Sequence, residues 1–148
     1  MAVTVRRVHS EDLATLTSLE AASFPDAWGE GAIRSHLASD SAVSLIAEGD
    51  TGEALGYLLG LSLVGEGELL RIAVTNPARR AGVGKAILHS FLDILKENGA
   101  EACFLEVRKS NEAAIALYRG SGFLPVGERK NYYKNPTEDA LLMVRRPL

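Results

Sequence analysis

The amino-acid sequence predicts an α/β (α+β) fold: a mixed, largely antiparallel sheet of about seven strands, flanked by about four helices, in one domain spanning residues 1–148. Three observations carry this. The chain has 148 residues, 47% hydrophobic and 24% charged, enough for one domain to bury roughly two thirds of its unfolded surface. Three apolar runs between 42 and 74 are separated by short turns rich in Gly and Asp, as in an antiparallel meander. A strand, a long amphipathic helix and another strand then occupy 68 to 107, and such a crossover joins parallel strands.

Val3 and Val5 alternate with Thr4 and Arg6 in a short first strand, after which Ser10 can cap a helix through Leu13, Leu16 and Leu19. The helix breaks at Pro25 and a second resumes around Ile33 and Leu37. Strands are expected at 42–48, 54–64 and 68–74. Val83, Ile87, Leu88, Phe91, Leu92 and Leu95 then fall at helical spacing, with Gly99 as terminator after Asn98. A strand at 102–107, a helix from about Asn111 to Ser121, the breaker Gly122, and strands near 124–133 and 140–145 complete the chain.

Net charge is −3, so nothing suggests a protein that coats nucleic acid or an anionic membrane. The single cysteine, Cys103, excludes an intrachain disulfide, and its apolar setting suggests a buried thiol. His9, His36 and His89 are not spaced for a metal site and are expected at the surface or in packing. The N-terminus lacks a signal-peptide core and no apolar run approaches the roughly 18 residues of a membrane span, which makes a reducing cytoplasm the default.

Two features ask for a chemical reason. In "CFLEVRKSN" (103–111) an apolar strand carries Glu106, and burying a carboxylate is costly unless it is paired, hydrogen-bonded or neutralised. It could sit in a water-accessible groove, or be held in an ion pair with Arg71 or Arg108. The segment "RRAGVGK" (79–85) lies between a strand and the strongest helix, where backbone N–H groups and the helix dipole favour an anion. Gly82 and Gly84 would admit a phosphate, and Arg79, Arg80 and Lys85 add positive charge; the alternative is a tight turn with solvated charges. It is not a Walker loop, because Arg79 stands where Gly is required and Ala86 where Ser or Thr is required. Nor is it a dinucleotide fingerprint, because Ile87 replaces the third Gly.

Taken together, "LLRIAVTNPARRAGVGKAIL", "LEVRKSNEAAIALYRGSGF" and "RKNYYKNPTEDALLM" resemble the GNAT superfamily of acetyl-CoA-dependent N-acetyltransferases, and within it the RimI type, the ribosomal-protein-alanine N-acetyltransferases. The resemblance covers nearly the whole chain and is strongest from 69 to 143. It implies a GNAT-like sheet whose parallel pair splays apart to admit acetyl-CoA. The family's pyrophosphate loop falls on Arg79, Arg80, Ala81, Gly82, Val83 and Gly84. Its cofactor contacts fall on Ile72, Ala73 and Val74, on Arg80 to Lys85, and on Asn111. Glu106 looks like the general base and Tyr118 like the general acid. Asn111 and Tyr118 are seven residues apart, about 20° on a helix, so they share one face; by spacing alone Asn111 could merely cap the helix and Tyr118 be a core aromatic. The chain departs from the pattern at Gly29, where the RimI type often carries Ser or Thr, which weakens a cap. Tyr132 and Tyr133 could flank a substrate or simply pack.

The implied reaction is attack of an amine on the acetyl-CoA thioester, without a metal. It requires removal of the amine's proton, stabilisation of an oxyanion by a backbone N–H near Ile72 to Val74, and protonation of the leaving thiolate. An α-amine with a pKa near 7.7–8.0 is roughly a tenth deprotonated at pH 7, whereas a lysine near 10.4 is about 0.04% deprotonated. A single carboxylate, directly or through water, is then an adequate base. The expected acceptor is a protein N-terminal amine, for the family the alanine of a small-subunit ribosomal protein, with no direct nucleic acid or membrane contact. The alternatives are a lysine side chain or small-molecule amine, or a non-catalytic acyl-CoA-binding module.

Overall fold

The computed structural model describes residues 2–75, 78 and 81–148. The elements are β1 (Thr4–Arg7), α1 (Leu13–Ser23), α2 (Glu30–Leu37), β2 (Ala42–Glu48), β3 (Ala54–Leu63), β4 (Glu66–Val74), α3 (Val83–Glu97), β5 (Ala102–Arg108), α4 (Glu112–Gly120), β6 (Leu124–Tyr133) and β7 (Glu138–Arg145). The seven strands form one sheet in the order β1-β2-β3-β4-β5-β7-β6, and β4–β5 is its parallel pair. The predicted mixed sheet and four helices are therefore present.

Each face of the sheet is covered for a reason visible in the side chains. On one face α3 buries Val83, Ile87, Leu88, Phe91, Leu92 and Leu95 against Leu58, Leu69 and Leu105, joined by Tyr118 and Phe123 from the α4 region. Each fully buried side chain of this kind contributes about 1.5–3 kcal/mol of transfer free energy. Gly60 is what lets α3 lie this close, since a Cβ there would stand 2.5 Å from Phe91 Cζ. The opposite face carries α1 and α2, where Leu16 and Ile33 pack on Tyr57 and Leu59.

The start of α1 differs from expectation. Ser10 does not cap it; Ser10–Asp12 forms a 3-10 turn first. The Asp12 carboxylate turns back to accept from the His9 N–H at 2.7 Å and pairs with Arg6 at 2.9 Å. A carboxylate with a guanidinium partner is a stronger acceptor than a serine hydroxyl. The expected weak cap at Gly29 is observed: Gly29 is the N-cap of α2 and supplies no side-chain bond.

Two local features open the sheet. The register between β3 and β4 slips, pairing Leu59 with Arg71 and Gly60 with Leu69, so Leu70 is the extra residue of a bulge. The β4–β5 ladder ends at Leu69–Leu105. Beyond that point β4 stays paired to β3 as far as Val74–Gly56, and β5 to β7 as far as Arg108–Ala140. Held on their outer sides and no longer joined to each other, the two strands diverge.

Candidate active site

Glu106 is the first residue of β5 past the last β4–β5 pair. The burial of β5 alternates, with Cys103, Leu105 and Val107 buried on the α3 side and Phe104, Glu106 and Arg108 partly open on the other. This resolves the puzzle of a carboxylate in an apolar strand: Glu106 belongs to the half-open face. Its side chain is 27% exposed and its carboxylate meets Arg129 Nε of β6 at 3.3 Å. The expected alternative partners are engaged elsewhere. Arg71 pairs with Glu20, while Arg108 pairs with Glu138 and donates to the carbonyls of Lys134 and Pro136. The Tyr132 phenol is pushed above its usual range, first by the neighbouring Glu106 carboxylate and then by burial.

The cleft where β4 and β5 diverge is a groove of about 370 Å³, lined among others by Leu70, Ile72, Glu106, Asn111, Ala114 and Tyr118. The structure thus brings together Ile72 from β4, Glu106 from β5, and Asn111 and Tyr118 from the two ends of α4. A narrower extension of about 170 Å³ shares Leu70, Arg71, Glu106 and Tyr133 and adds Trp28, Glu68 and Tyr132. A larger cavity of about 480 Å³ lies elsewhere, between Arg7, His9, Leu13, Arg34 and Ser44, and holds none of the expected site residues.

Tyr118 is 5% exposed and its ring packs on Phe123 at 5.9 Å between centroids. Burial, with smaller contributions from Tyr133 and Cys103, raises its pKa and keeps the phenol protonated. Its hydroxyl has no hydrogen-bond partner among the described residues, and its ring belongs to the core as a buried aromatic. Asn111 is the N-cap of α4, its Oδ1 accepting from the Ala114 N–H at 3.2 Å. Cys103 is a buried thiol pushed up to about 12, chiefly by burial.

Ile72, Ala73 and Val74 form the diverging end of β4. Of the glycine turn, Arg79 and Arg80 lie outside the described residues. Gly82 is the N-cap of α3 at φ +81°, a left-handed conformation that favours glycine. Val83, Gly84 and Lys85 form the first helical turn, whose N–H groups point out of the helix end. Ala81 to Lys85 do not line the groove itself. They pack between β4 and α4: a Cβ on Gly84 would touch Leu117 at 3.4 Å and Val74 at 3.5 Å.

Sequence reasoning missed the group that fixes the loop between α1 and α2. Glu20 is fully buried and accepts from the Trp28 N–H at 2.8 Å, from Arg71 Nε at 3.0 Å and from the Tyr57 hydroxyl. Arg71 stacks over Phe24 at 4.1 Å. Asp26, in the same loop, lies 3.8 Å from Arg71 of β4 and 3.7 Å from Arg108 of β5, bridging the mouth of the cleft. The available signal was Glu20 itself, four residues after Leu16 and so on the buried face of α1. No sequence signal pointed to Arg129, on an exposed edge strand.

The family model described as "Acetyltransferase (GNAT) family" matches residues 13–123. A "[Ribosomal protein bS18]-alanine N-acetyltransferase" of Escherichia coli (strain K12) is 38% identical over 94 residues, 62% of this chain and 64% of that protein. An "N-alpha-acetyltransferase" of Sulfurisphaera tokodaii is 34% identical over 152 aligned positions, 94% of this chain and 90% of that protein. The crystal structure of the ribosomal-protein-S18-alanine N-acetyltransferase from Escherichia coli superposes with a TM-score of 0.91 at 29% identity, over 99% of this chain and 94% of that one. The chain belongs to the GNAT family of acetyltransferases and is an N-acetyltransferase.

Proposed function

We propose that this chain is an acetyl-CoA-dependent N-alpha-acetyltransferase, one domain across 1–148, that acetylates a protein N-terminal amine, the N-terminal alanine of a small-subunit ribosomal protein. The observation that carries the reading is the groove at the β4–β5 divergence, which Glu106 and Tyr118 both line.

Acetyl-CoA supplies the acetyl thioester. Glu106 takes the proton of the entering amine, directly or through a water, while Arg129 holds its carboxylate in place. A backbone N–H of the diverging Ile72–Val74 segment donates to the oxygen on which negative charge develops. Tyr118, kept protonated by burial, donates to the sulfur as the thiolate leaves. The first turn of α3 at Gly82–Lys85, with Arg79 and Arg80 preceding it, receives the phosphates. Asn111 offers its side-chain NH₂ to the same ligand, because its oxygen is taken by the helix cap. The expected donor fits this chemistry: an outward-facing helix end for anions, a cleft of mixed polar and apolar lining, and a tyrosine hydroxyl without a hydrogen-bond partner among the described residues.

The narrow extension beside Glu106, walled by Trp28, Tyr132 and Tyr133, favours a chain terminus with a small first residue over a bulky one. A cytoplasmic location is consistent with Cys103 as a buried, unpaired thiol. The test is thiol release from acetyl-CoA with a peptide beginning in alanine and with the same peptide blocked at its N-terminus. Release only with the free terminus is expected; equal release from a blocked peptide containing lysine would move the assignment to a side-chain acceptor.

A further inference from the structure

Three arginines lie in or beside the cleft, and each has a carboxylate partner: Arg71 has Glu20, Arg108 has Glu138 and Arg129 has Glu106. Glu68 is different. It lines the narrow extension, yet among the described residues no hydrogen bond or ion pair reaches its carboxylate. Its pKa is raised, first by burial and then by the carboxylates of Glu106 and Glu66.

The backbone explains why Glu68 and Glu106 share a face. Glu68 lies opposite Phe104 in the parallel ladder, and Phe104 and Glu106 alternate onto the same side of β5. Glu68 precedes the last ladder pair and Glu106 follows it. Glu68 is therefore set back from the divergence, on the acceptor side of Glu106. An unpaired carboxylate in a partly closed groove beside another carboxylate is unfavourable in the empty protein and is relieved by a cation. The aromatic walls of the extension already carry the protein's own guanidinium groups, Arg71 over Trp28 at 5.7 Å, Arg129 over Tyr132 at 5.8 Å and Arg108 over Tyr133 at 4.6 Å, so the attraction for an added cation comes from the carboxylates.

We propose that Glu68 is the residue that captures the acceptor, binding its protonated terminal ammonium group next to Glu106 before Glu106 removes the proton. This rests on the N-alpha-acetyltransferase reading and adds a positioning residue to it. Glu68 forms no bond to the reacting carbonyl and moves no proton in the transfer step. It acts on the encounter with the amine.

The test compares the unmodified chain, Glu68→Gln and Glu68→Asp in steady-state kinetics on an alanine-initiated peptide at two salt concentrations. Losing one hydrogen bond between charged groups raises the peptide KM by about tenfold or more in Glu68→Gln. Its kcat stays within about twofold and its KM for acetyl-CoA does not change. Salt weakens peptide binding by the unmodified chain more than by Glu68→Gln, and Glu68→Asp recovers part of the loss. An unchanged peptide KM, or a lower kcat at constant KM, overturns the proposal, the second because it would place Glu68 in the chemical step. Calorimetric binding of the same peptide in the presence of CoA gives a reading independent of turnover; equal affinity for the unmodified chain and Glu68→Gln also overturns it. Should the unmodified chain acetylate lysine or small amines and no α-amine, the N-alpha reading fails by itself. The KM comparison on that other acceptor then decides the role of Glu68.

Discussion

Replacing Glu20 by alanine removes the acceptor for three donors at once: Arg71, the Tyr57 hydroxyl and the Trp28 N–H. Glu20 is fully buried and the Arg71 side chain is 12% exposed, so little water is available to replace it. Removing one partner of a buried ion pair costs about 3–5 kcal/mol, and an unsatisfied buried donor about 1–3 kcal/mol. These contributions overlap, and we expect a total loss of about 3–5 kcal/mol for Glu20→Ala. With a urea dependence of about 1.5 kcal/mol per molar, the unfolding midpoint falls by about 2–3 M. The same substitution frees the loop carrying Phe24, Asp26 and Trp28, so the acceptor KM rises along with the loss of stability. Because such a loss is large for a domain of this size, Glu20→Gln and the pair Glu20→Leu with Arg71→Met complete the series. Removing both charges leaves no uncompensated guanidinium, and the double variant is expected to be more stable than Glu20→Ala. A loss below about 1 kcal/mol for Glu20→Ala, or a double variant less stable than Glu20→Ala, would refute the reasoning.

Glu106→Gln lowers kcat by about 10²–10⁴-fold and Tyr118→Phe by a smaller factor, both with little change in acetyl-CoA affinity; unchanged turnover in both variants would remove the proposed acid and base. His36 is buried against Trp28 at 5.8 Å between ring centroids, and burial lowers its pKa. Below the unfolded-state value near 6.5 the unfolded chain takes up a proton that the folded chain refuses, so stability falls as pH drops from there toward the lowered folded value. His36→Gln is expected to flatten that part of the urea-midpoint profile, and an identical slope would contradict the assignment. Gly60→Ala places a methyl 2.5 Å from Phe91 Cζ and 3.0 Å from the Glu68 carbonyl oxygen. The strain costs about 1–3 kcal/mol in chemical denaturation, and a loss under about 0.5 kcal/mol would mean that α3 yields more readily than its packing implies.

Much of the architecture was legible because hydrophobic period and chain punctuation agree along the sequence. The α3 repeat from Val83 to Leu95 is nearly saturated with apolar residues at one face, and Gly99 ends it at φ +84°. Strands β2 to β4 show themselves as apolar runs between turns. What was not legible depends on register. The bulge at Leu70 is a slip of one residue between two strands that each look regular, and nothing in "ELLRIAV" announces it. The sequence offered Arg71 and Arg108 as ion-pair partners for Glu106. In the fold Arg71 turns to the α1 side and meets Glu20, 51 residues earlier, while Glu106 is reached by Arg129 across β7. Ser10 was read as a cap by residue type, but it opens a 3-10 turn instead, which the Arg6-paired Asp12 closes on the His9 N–H through a contact that needs β1 already in place. The expected site residues Glu106, Asn111 and Tyr118 meet in one groove, yet their spacing alone favoured a cap and a core aromatic, and in the fold Asn111 does cap α4 and Tyr118 is buried.

The most direct test of the central claim is tandem mass spectrometry of a peptide with an N-terminal alanine and an internal lysine, after incubation with acetyl-CoA and either the unmodified chain or Glu106→Gln. The account predicts acetyl groups confined to the α-amine, with formation slowed by about 10²-fold or more in Glu106→Gln. Acetylation on the lysine alone, or at the α-amine with equal rates for both proteins, would contradict it.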